Sequence, residues 1–433
     1  MIPSILICAL TCILMILSIP FKPVVKIGKI YLDTYWIIVS AGALLLFITG
    51  LADLHTVSSA LLANSAVNPL KILVLFISMT LLSVFLDELG FFRYLANVTL
   101  KRAKTSQTKL FLYLYLIVSV LTVFTSNDVI ILSFTPFICY FAKNAKIDPL
   151  PYLAAEFVAA NTWSMMLIIG NPTNIYLATA NGIDFLSYIK VMLLPTLCAG
   201  TVAFAALYLL FKKKLKTPIS GEPVSARICD KPLLIVGLIH LSLCTLILAI
   251  SSYVHIEMWM VSLGSVISLF VITSIVALKR KKVPRELLHC LKRAPWELIP
   301  FVLGMFILII SLSSKGVTDY ISDFLGNDLT VFKYGFLSLF SANVINNIPM
   351  SVLFSSIIDP IDAAIKQEAA YATVIGSNIG AFLTPIGALA GILWSSILNQ
   401  NGLKFGYKDF LKIGVTIALP TAAVALLVLW LVL

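Results

Sequence analysis

The stretch that decides the fold is residues 110–142, which read LFLYLYLIVSVLTVFTSNDVIILSFTPFICYFA. Both ends of this run are apolar, and Ser126, Asn127 and Asp128 interrupt it midway. Each half has about 15 residues and gives about 22 Å of helix, which is short for a hydrocarbon layer about 30 Å thick. The pattern predicts a re-entrant hairpin that enters the membrane, turns at the polar residues and leaves on the same side. Two short spans are the alternative.

A second stretch, residues 333–358, has the same design. Its apolar run is interrupted by Asn346 and Asn347, which Pro349 follows closely. The same length argument predicts a second re-entrant hairpin here. A simple tight turn, with no binding role for Asn347 and Pro349, is the alternative.

The composition places the whole chain in a membrane. Of its 433 residues, 60% are hydrophobic and 12% are charged, and the mean hydropathy is +1.02. Soluble domains are about 45–50% apolar and about 25% charged, so a soluble enzyme is excluded. The seven cysteines are scattered and form no CxxC pair, so the sequence indicates neither a zinc site nor a disulfide framework.

Ten further segments approach or exceed the length needed to cross a bilayer as helices. They are residues 2–20, 34–52, 70–90, 150–180, 187–211, 232–250, 257–278, 296–313, 369–398 and 409–433. The sequence therefore predicts an all-α polytopic membrane protein with about ten transmembrane helices and two re-entrant hairpins. Residues 1–20 are expected to remain as the first span, because they lack a basic start and a small-residue cleavage site.

The basic residues indicate how these helices are oriented. With the N-terminus outside and each hairpin returning to its own side, all but five of the 31 lysines and arginines lie on the cytoplasmic side. The net charge of +11 is then an orientation signal, not the footprint of a nucleic-acid partner. We expect a multi-pass protein of the plasma (inner) membrane with both termini outside.

The two halves of the chain resemble each other. Four residues recur at a spacing of 226: Pro69, Met79, Gly90 and Tyr94 match Pro295, Met305, Gly316 and Tyr320. At a spacing of 217, Asn161 matches Asn378 and Gly170 matches Gly387. Each unit has five spans and one hairpin, and because five is odd the second unit is inverted, as in many secondary transporters. The predicted organisation is an N-terminal repeat 1–211, a cytoplasmic linker 212–231 and a C-terminal repeat 232–433.

Two of the long segments contain helix breakers, GNPTN at 170–174 and TPIG at 384–387. Non-helical backbone at membrane depth is tolerated only inside protein or beside a water-filled cavity. We therefore expect the breaks and the hairpin tips to meet in one cavity between the halves. The predicted substrate-binding residues are Asn127, Asn161, Thr162, Asn171, Thr173, Asn174, Asn346, Asn347, Ser377, Asn378, Thr384 and Gly387.

Carbonyl and amide oxygens also suit a hard cation. The predicted coupling-ion residues are Ser126, Asn127, Asp128, Gly170, Asn347 and Gly376, with H+ or Na+ as the ion and no other metal or cofactor. Asp128 is an intramembrane acid and therefore a functional candidate. Its alternative role is to cap the second hairpin helix.

Four other polar residues are weaker candidates. Glu156 and His240 are possible functional groups, with a paired structural role as the alternative. Asp87 and Glu88 are expected to face solvent or to pair with Arg93.

At these motifs the sequence resembles the ion transporter superfamily, which includes arsenical-pump membrane proteins, citrate and divalent-anion:sodium transporters and some sodium/proton antiporters. The motifs are TSND at 125–128, PWELIP at 295–300, NNIP at 346–349, YATVIG at 371–376 and LTPIG at 383–387. The C-terminal half resembles the arsenical pumps most, whereas GNPTN at 170–174 is more similar to anion permeases. The resemblance implies sodium coupling in the divalent-anion relatives, while Asp128 favours protons.

Together these features predict a secondary active transporter that moves a small anion or oxyacid, coupled to H+ or Na+. Arsenite or antimonite and a di- or tricarboxylate are the expected solute classes. The alternatives are a Na+/H+ antiporter without an anion substrate and a non-transporting membrane subunit. No GxxxxGK[ST], HExxH or GxSxG motif occurs, so an enzyme is not expected and ATP would require a separate ATPase subunit. A homodimer is a further expected assembly, in the lipid bilayer.

Overall fold

The computed structural model describes residues 2–21, 24–27, 30–62, 68–219, 228–251, 253–403 and 405–433. Within these ranges the secondary structure is helical apart from one antiparallel hairpin, formed by β1 (Val24–Ile27) and β2 (Ile30–Asp33). Val24 pairs with Asp33 and Ile27 with Ile30. The hairpin joins the first two helices, and the sequence analysis did not predict it.

Ten helices form the first half of the chain. They are α1 (Ile2–Phe21), α2 (Thr34–Ile48), α3 (Leu54–Leu62), α4 (Pro69–Glu88), α5 (Phe91–Ala103), α6 (Gln107–Phe124), α7 (Asn127–Ala145), α8 (Leu150–Trp163), α9 (Pro172–Ala180) and α10 (Phe185–Phe211).

The second half has the same series of long and short helices. They are α11 (Lys231–Ile250), α12 (Met258–Lys279), α13 (Arg285–Arg293), α14 (Leu298–Ser313), α15 (Val317–Leu325), α16 (Thr330–Ile345), α17 (Asn347–Ile358), α18 (Ala363–Gly380), α19 (Leu389–Gln400) and α20 (Tyr407–Val432).

These helices confirm an all-α polytopic membrane protein. In the described part of the chain, seven helical segments are long and apolar enough to cross a membrane. The segment Ile2–Ser18 of α1 and the helices α2, α16 and α17 are apolar but shorter. The predicted spans 150–180 and 369–398 are each two helices, because the chain leaves the α-helix between α8 and α9 and between α18 and α19.

The packing of the two helix series is reciprocal. α4 packs on α12 while α14 packs on α2, and α7 packs on α19 while α17 packs on α9. α10 and α20, which hold the same place in the two series, pack on each other. Reciprocal contacts of this kind are expected when the two helix series are related by a twofold axis. The domain boundaries remain a prediction, and residues 220–227 of the predicted linker lie outside the described residues.

Ion pairs support the predicted grouping of loops on the two faces. Lys71 Nζ lies 2.6 Å from Glu257 Oε2 and so joins two predicted outer loops. This hydrogen bond holds the pKa of the Glu257 carboxyl below its ordinary value. Every other ion pair seen in the described ranges also joins residues of one predicted face: Asp148–Lys214, Asp230–Arg280, Asp87–Arg293, Glu88–Arg293, Glu88–His289, Asp328–Lys333 and Asp359–Lys366. Which face is cytoplasmic remains a prediction.

The prediction for Asp87 and Glu88 was wrong. Asp87 is 4% exposed, and its Oδ2 lies 2.7 Å from Arg293 Nη2. Glu88 Oε1 lies 2.6 Å from Arg293 Nη1, whereas Arg93 is exposed. The pairing arises because α13 packs on the end of α4, and such a distant contact leaves no signal in the residues around Asp87.

Arg293→Ala tests whether this contact holds the two halves together. Removing Arg293 leaves the buried Asp87 carboxylate without a cation and Glu88 with His289 as its remaining partner, so we expect a loss of about 2 kcal/mol, between the values for exposed and buried pairs. The measurement is thermal unfolding of the purified protein in detergent. Arg285→Ala is the control, because Arg285 is exposed on the same helix. Equal effects of the two substitutions would contradict this role of Arg293.

Candidate functional site

The tip of the first hairpin is a two-residue turn between α6 and α7. Thr125 and Ser126 have extended backbone, and Ser126 Oγ accepts a hydrogen bond from the backbone N–H of Asp128 at 3.3 Å. A serine in this position is a favourable helix cap. Ser126 therefore caps α7, and the alternative in which Asp128 caps it was wrong.

Asp128 lies in the first turn of α7, and its carboxylate makes no hydrogen bond or ion pair with the described residues. Its side chain is partly exposed, whereas Asn127 and Val129 on either side are buried. The helix N-terminus stabilises a negative charge there, but a carboxylate at membrane depth is costly. Asp128 is thus available to bind a proton or a cation.

The first helix break folds tightly because of a glycine. After α8, two short 3-10 turns, Ser164–Met166 and Ile168–Gly170, lead to Asn171, which caps α9. A Cβ on Gly170 would lie 2.1 Å from the carbonyl oxygen of Ser164, so only glycine fits. Pro172 then occupies the first turn of α9, where its missing N–H costs nothing.

The second break has an equivalent glycine and holds the second hairpin tip. A Cβ on Gly387 would lie 2.5 Å from the carbonyl oxygen of Gly380. The N–H of Asn347 donates to the Gly387 carbonyl at 3.0 Å, and Asn346 Nδ2 donates to the Ile386 carbonyl at 3.0 Å. Asn346 has φ +71, a conformation that asparagine adopts more readily than most residues.

Asn343 also belongs to the second break, and the sequence analysis missed it. Its Oδ1 accepts a hydrogen bond from Thr384 Oγ1 at 2.7 Å, and its Nδ2 donates to the Gly380 carbonyl at 3.1 Å. The signal was present in the sequence, because Asn343 lies about one helical turn before Asn346.

A cluster of buried amides joins the first break to the other half of the protein. We call Ser164, Asn171, Asn174 and Asn378 the asparagine cluster. Asn378 Nδ2 donates to Asn174 Oδ1 at 2.7 Å, and Asn378 Oδ1 accepts from Asn171 Nδ2 at 3.0 Å. Ser164 Oγ lies 2.8 Å from Asn378 Oδ1. Asn378 of α18 thus binds both sides of the first break.

The first hairpin tip connects to this cluster. Asn127 Nδ2 donates to Asn161 Oδ1 at 3.0 Å, and Ser164 Oγ donates to the Asn161 carbonyl at 2.8 Å. Both tips lie inside the protein, since Asn127 is 2% and Asn347 3% exposed. The structure therefore brings the first tip, the first break and Asn378 into one hydrogen-bond network. The second tip and the second break form another network, which begins two residues beyond Asn378.

Three predicted binding residues carry buried polar atoms with no hydrogen-bond partner among the described residues. They are Asn127 Oδ1, Thr162 Oγ1 and Ser377 Oγ. Buried polar atoms nearly always have partners. These atoms therefore have hydrogen-bonding capacity that the described residues do not use, as do ten further buried atoms elsewhere in the described ranges. Thr173 contributes a weaker contact, its Oγ1 lying 3.5 Å from Asn174 Oδ1.

Two other candidates lie in helix contacts. A Cβ on Gly376 would lie 2.0 Å from Ser338 Oγ and 2.3 Å from the Gly335 carbonyl, so Gly376 faces α16 and permits close packing. The ring nitrogens of His240 lie 2.8 Å from the Val236 carbonyl and 3.2 Å from Ser268 Oγ, in the contact of α11 with α12. His240 is therefore paired within a helix contact, as its alternative, structural role predicts.

The charge of the site comes from one side chain and several helix ends. The asparagine cluster and the two tips consist of amides and hydroxyls, with Asp128 as their charged member. α7, α9 and α17 all begin at these tips and breaks. Their N-termini carry partial positive charge and free N–H groups, which suit anionic or hydroxyl oxygens.

The sequence is similar to a transporter family and to individual membrane proteins of known description. Residues 29–376 match the citrate transporter family CitMHS. The chain is 28% identical over 368 residues to an arsenical pump membrane protein of Escherichia coli, and 29% identical over 366 residues to one of Yersinia enterocolitica. Each comparison covers 81% of this chain and 84% of the relative.

A solved structure with a similar fold is the YdaH transporter of Alcanivorax borkumensis. Its TM-score is 0.50 at 13% identity, over 99% of this chain and 97% of that one. At this identity the likeness concerns the fold alone.

The fold and these relatives confirm the resemblance to the ion transporter superfamily, and they identify a multi-pass membrane transporter. The family match extends over most of the chain, from the β-hairpin to α18. The protein therefore belongs to the citrate transporter family CitMHS.

Proposed function

We propose that this transporter exchanges a small uncharged oxyacid, of the arsenite and antimonite class, for protons. The observation that carries the proposal is the chemistry of the site. Buried amides and hydroxyls surround the two breaks, three of their polar atoms lack partners, and Asp128 is the charged side chain among them.

The set has no cationic side chain among the described residues, which favours a neutral solute over a multiply charged one. A di- or tricarboxylate would carry two or three negative charges to a site that contains a carboxylate, and buried charges need compensation. A trihydroxy acid such as arsenous acid is neutral at physiological pH, and each of its hydroxyls both donates and accepts hydrogen bonds. Such hydroxyls complement Asn127 Oδ1, Thr162 Oγ1 and Ser377 Oγ. The arsenical pump membrane proteins of E. coli and Y. enterocolitica support the same class.

The proton is the proposed coupling ion because of Asp128. A membrane carboxylate without a partner gains stability by binding a proton. Antiport results if oxyacid binding favours one conformation of the first hairpin tip and protonation of Asp128 favours the other. Na+ is the alternative ion, with Asp128 and Asn127 Oδ1 as its ligands.

A second candidate is sodium-coupled transport of a di- or tricarboxylate. The description of the matched family favours it. So do the N-termini of α7, α9 and α17, which together with Na+ would offset part of the negative charge.

Transport by purified protein in liposomes tests these proposals directly. The panel is arsenite, antimonite, citrate and succinate, with pH and Na+ gradients applied separately. We expect a pH gradient to drive arsenite and antimonite, and a Na+ gradient to have no effect. Sodium-driven carboxylate uptake would overturn the proposal in favour of the second candidate. Sodium-dependent proton flux without any solute would favour a Na+/H+ antiporter.

Asp128→Asn tests the coupling residue in the same liposomes. The amide keeps the shape of the side chain but cannot bind a proton, so we expect loss of transport driven by a pH gradient and retention of oxyacid exchange. Asp184→Asn is the matched control, because Asp184 caps α10 and asparagine caps helices equally well. Unchanged pH-driven transport in Asp128→Asn would contradict the role of Asp128.

A further inference from the structure

A second membrane carboxyl lies close to the site and has no role in the proposed function. Glu156 of α8 is 0% exposed. It precedes Asn161 by five residues on the same helix, which is about 7.5 Å along the axis. At this level α8 packs on α7, and α7 packs on α19 of the other helix series.

The groups around Glu156 are neutral hydrogen-bond donors. Thr135 Oγ1 on α7 lies 2.9 and 3.1 Å from the two carboxyl oxygens. The indole N–H of Trp394 on α19 lies beside the same carboxyl, is buried, and has no acceptor at hydrogen-bonding distance among the described residues. The other ionisable side chain that faces Glu156 is the thiol of Cys139, one turn beyond Thr135. The ion pairs of the described residues do not include Glu156.

This environment suits a group that changes its protonation state. An ionised carboxyl without a cation is costly in a membrane, but the hydroxyl of Thr135 can donate to it and the unpartnered N–H of Trp394 lies beside it. A protonated carboxyl needs one acceptor, which the Thr135 oxygen supplies. A glutamine would fill the same volume and accept the same bond from Thr135 without the cost of a buried charge, so packing alone does not explain a carboxyl here.

Glu156 lies beside one helix of each series, α7 and α19, and both belong to the hairpins and broken helices of the site. α7 also carries Asp128, and α19 is the second half of the broken helix whose first half, α18, has Asn378 near its end. Trp394 borders a small cavity of about 20 Å³ that Phe157, Phe405 and Phe410 also line. Phe405 lies in the loop before α20, so this cavity extends from Trp394 towards one face of the protein.

We propose that Glu156 is a second proton-binding residue of the transport cycle. It is protonated while α7 and α19 pack around it, and it releases the proton when the two helices separate and water reaches the carboxyl. The step is a simple proton transfer between solvent and the carboxyl oxygen. The inference rests on the proposed function only in assigning this proton to transport.

Infrared spectroscopy of the protein in lipid tests the titration of Glu156 without any solute. The carbonyl stretch of protonated carboxyls is recorded from acid to alkaline pH. We expect one buried-carboxyl band to disappear in Glu156→Gln and a different one in Asp128→Asn. Glu286→Gln is the control, because Glu286 lies on the short helix α13, which is remote in sequence from both acids. Spectra of Glu156→Gln identical to those of the unmodified protein would overturn the proposal.

Trp394→Phe keeps the proposal testable if Glu156→Gln does not fold. Phenylalanine removes the polar N–H beside the carboxyl and leaves Glu156 in place, so the ionised form loses stabilisation and the midpoint of its band moves to higher pH. An unchanged midpoint would overturn the proposal.

The transport role has its own readout, the number of protons exchanged per solute in liposomes. We expect this number to fall by one in Glu156→Gln, and an unchanged number would overturn the transport role. If the unmodified protein moves no oxyacid, the proposed function fails, whereas the infrared titration still decides whether Glu156 binds a proton.

Discussion

The fold depends on one constraint, that backbone groups freed by a helix break inside a membrane must find hydrogen-bond partners in the protein. This chain breaks two helices at membrane depth and supplies the partners from asparagine side chains. Asn174 Nδ2 donates to the carbonyls of Ser164 and Leu167, and Asn343 and Asn346 do the same for Gly380 and Ile386. Asn378 then ties the first break to the other helix series through Asn171 and Asn174.

The two helix series have the same order of elements but differ in their contacts. Asn161 and Asn378 hold the same place in the repeat, yet Asn161 bonds to the tip of its own half while Asn378 bonds across to the other half. The first tip presents Asp128, where the second presents Ile348. A charge that can be neutralised is thus placed at one tip, and the other tip is held to its own break. This asymmetry suits a transporter in which one hairpin responds to the coupling ion.

Much of this arrangement was predictable because membrane depth restricts what a sequence can do. The interrupted runs 110–142 and 333–358 and the Gly and Pro residues of both breaks predicted helix pairs with polar tips and broken helices, and the structure confirms these pairs and breaks. Whether the pairs are re-entrant stays a prediction, since α6 is itself long enough to cross a membrane. Contacts between distant helices left no such signal. The pairing of Arg293 with Asp87, the cross-link through Asn378 and the contact of Gly376 with α16 depend on packing that no local pattern encodes. The short β-hairpin was missed because it lies in a loop outside the hydrophobic pattern.

Cross-linking across the asparagine cluster tests whether the first helix break meets the other half of the protein. In a cysteine-free background, Asn174→Cys with Asn378→Cys is treated in membranes with a short bifunctional thiol reagent. Because these two side chains are 2.7 Å apart and belong to different halves, we expect efficient cross-linking. Asn127→Cys with Asn161→Cys, 3.0 Å apart within one half, shows that the reagent reaches this depth. Cross-linking of this second pair without the first would contradict a site built where the two broken helices meet.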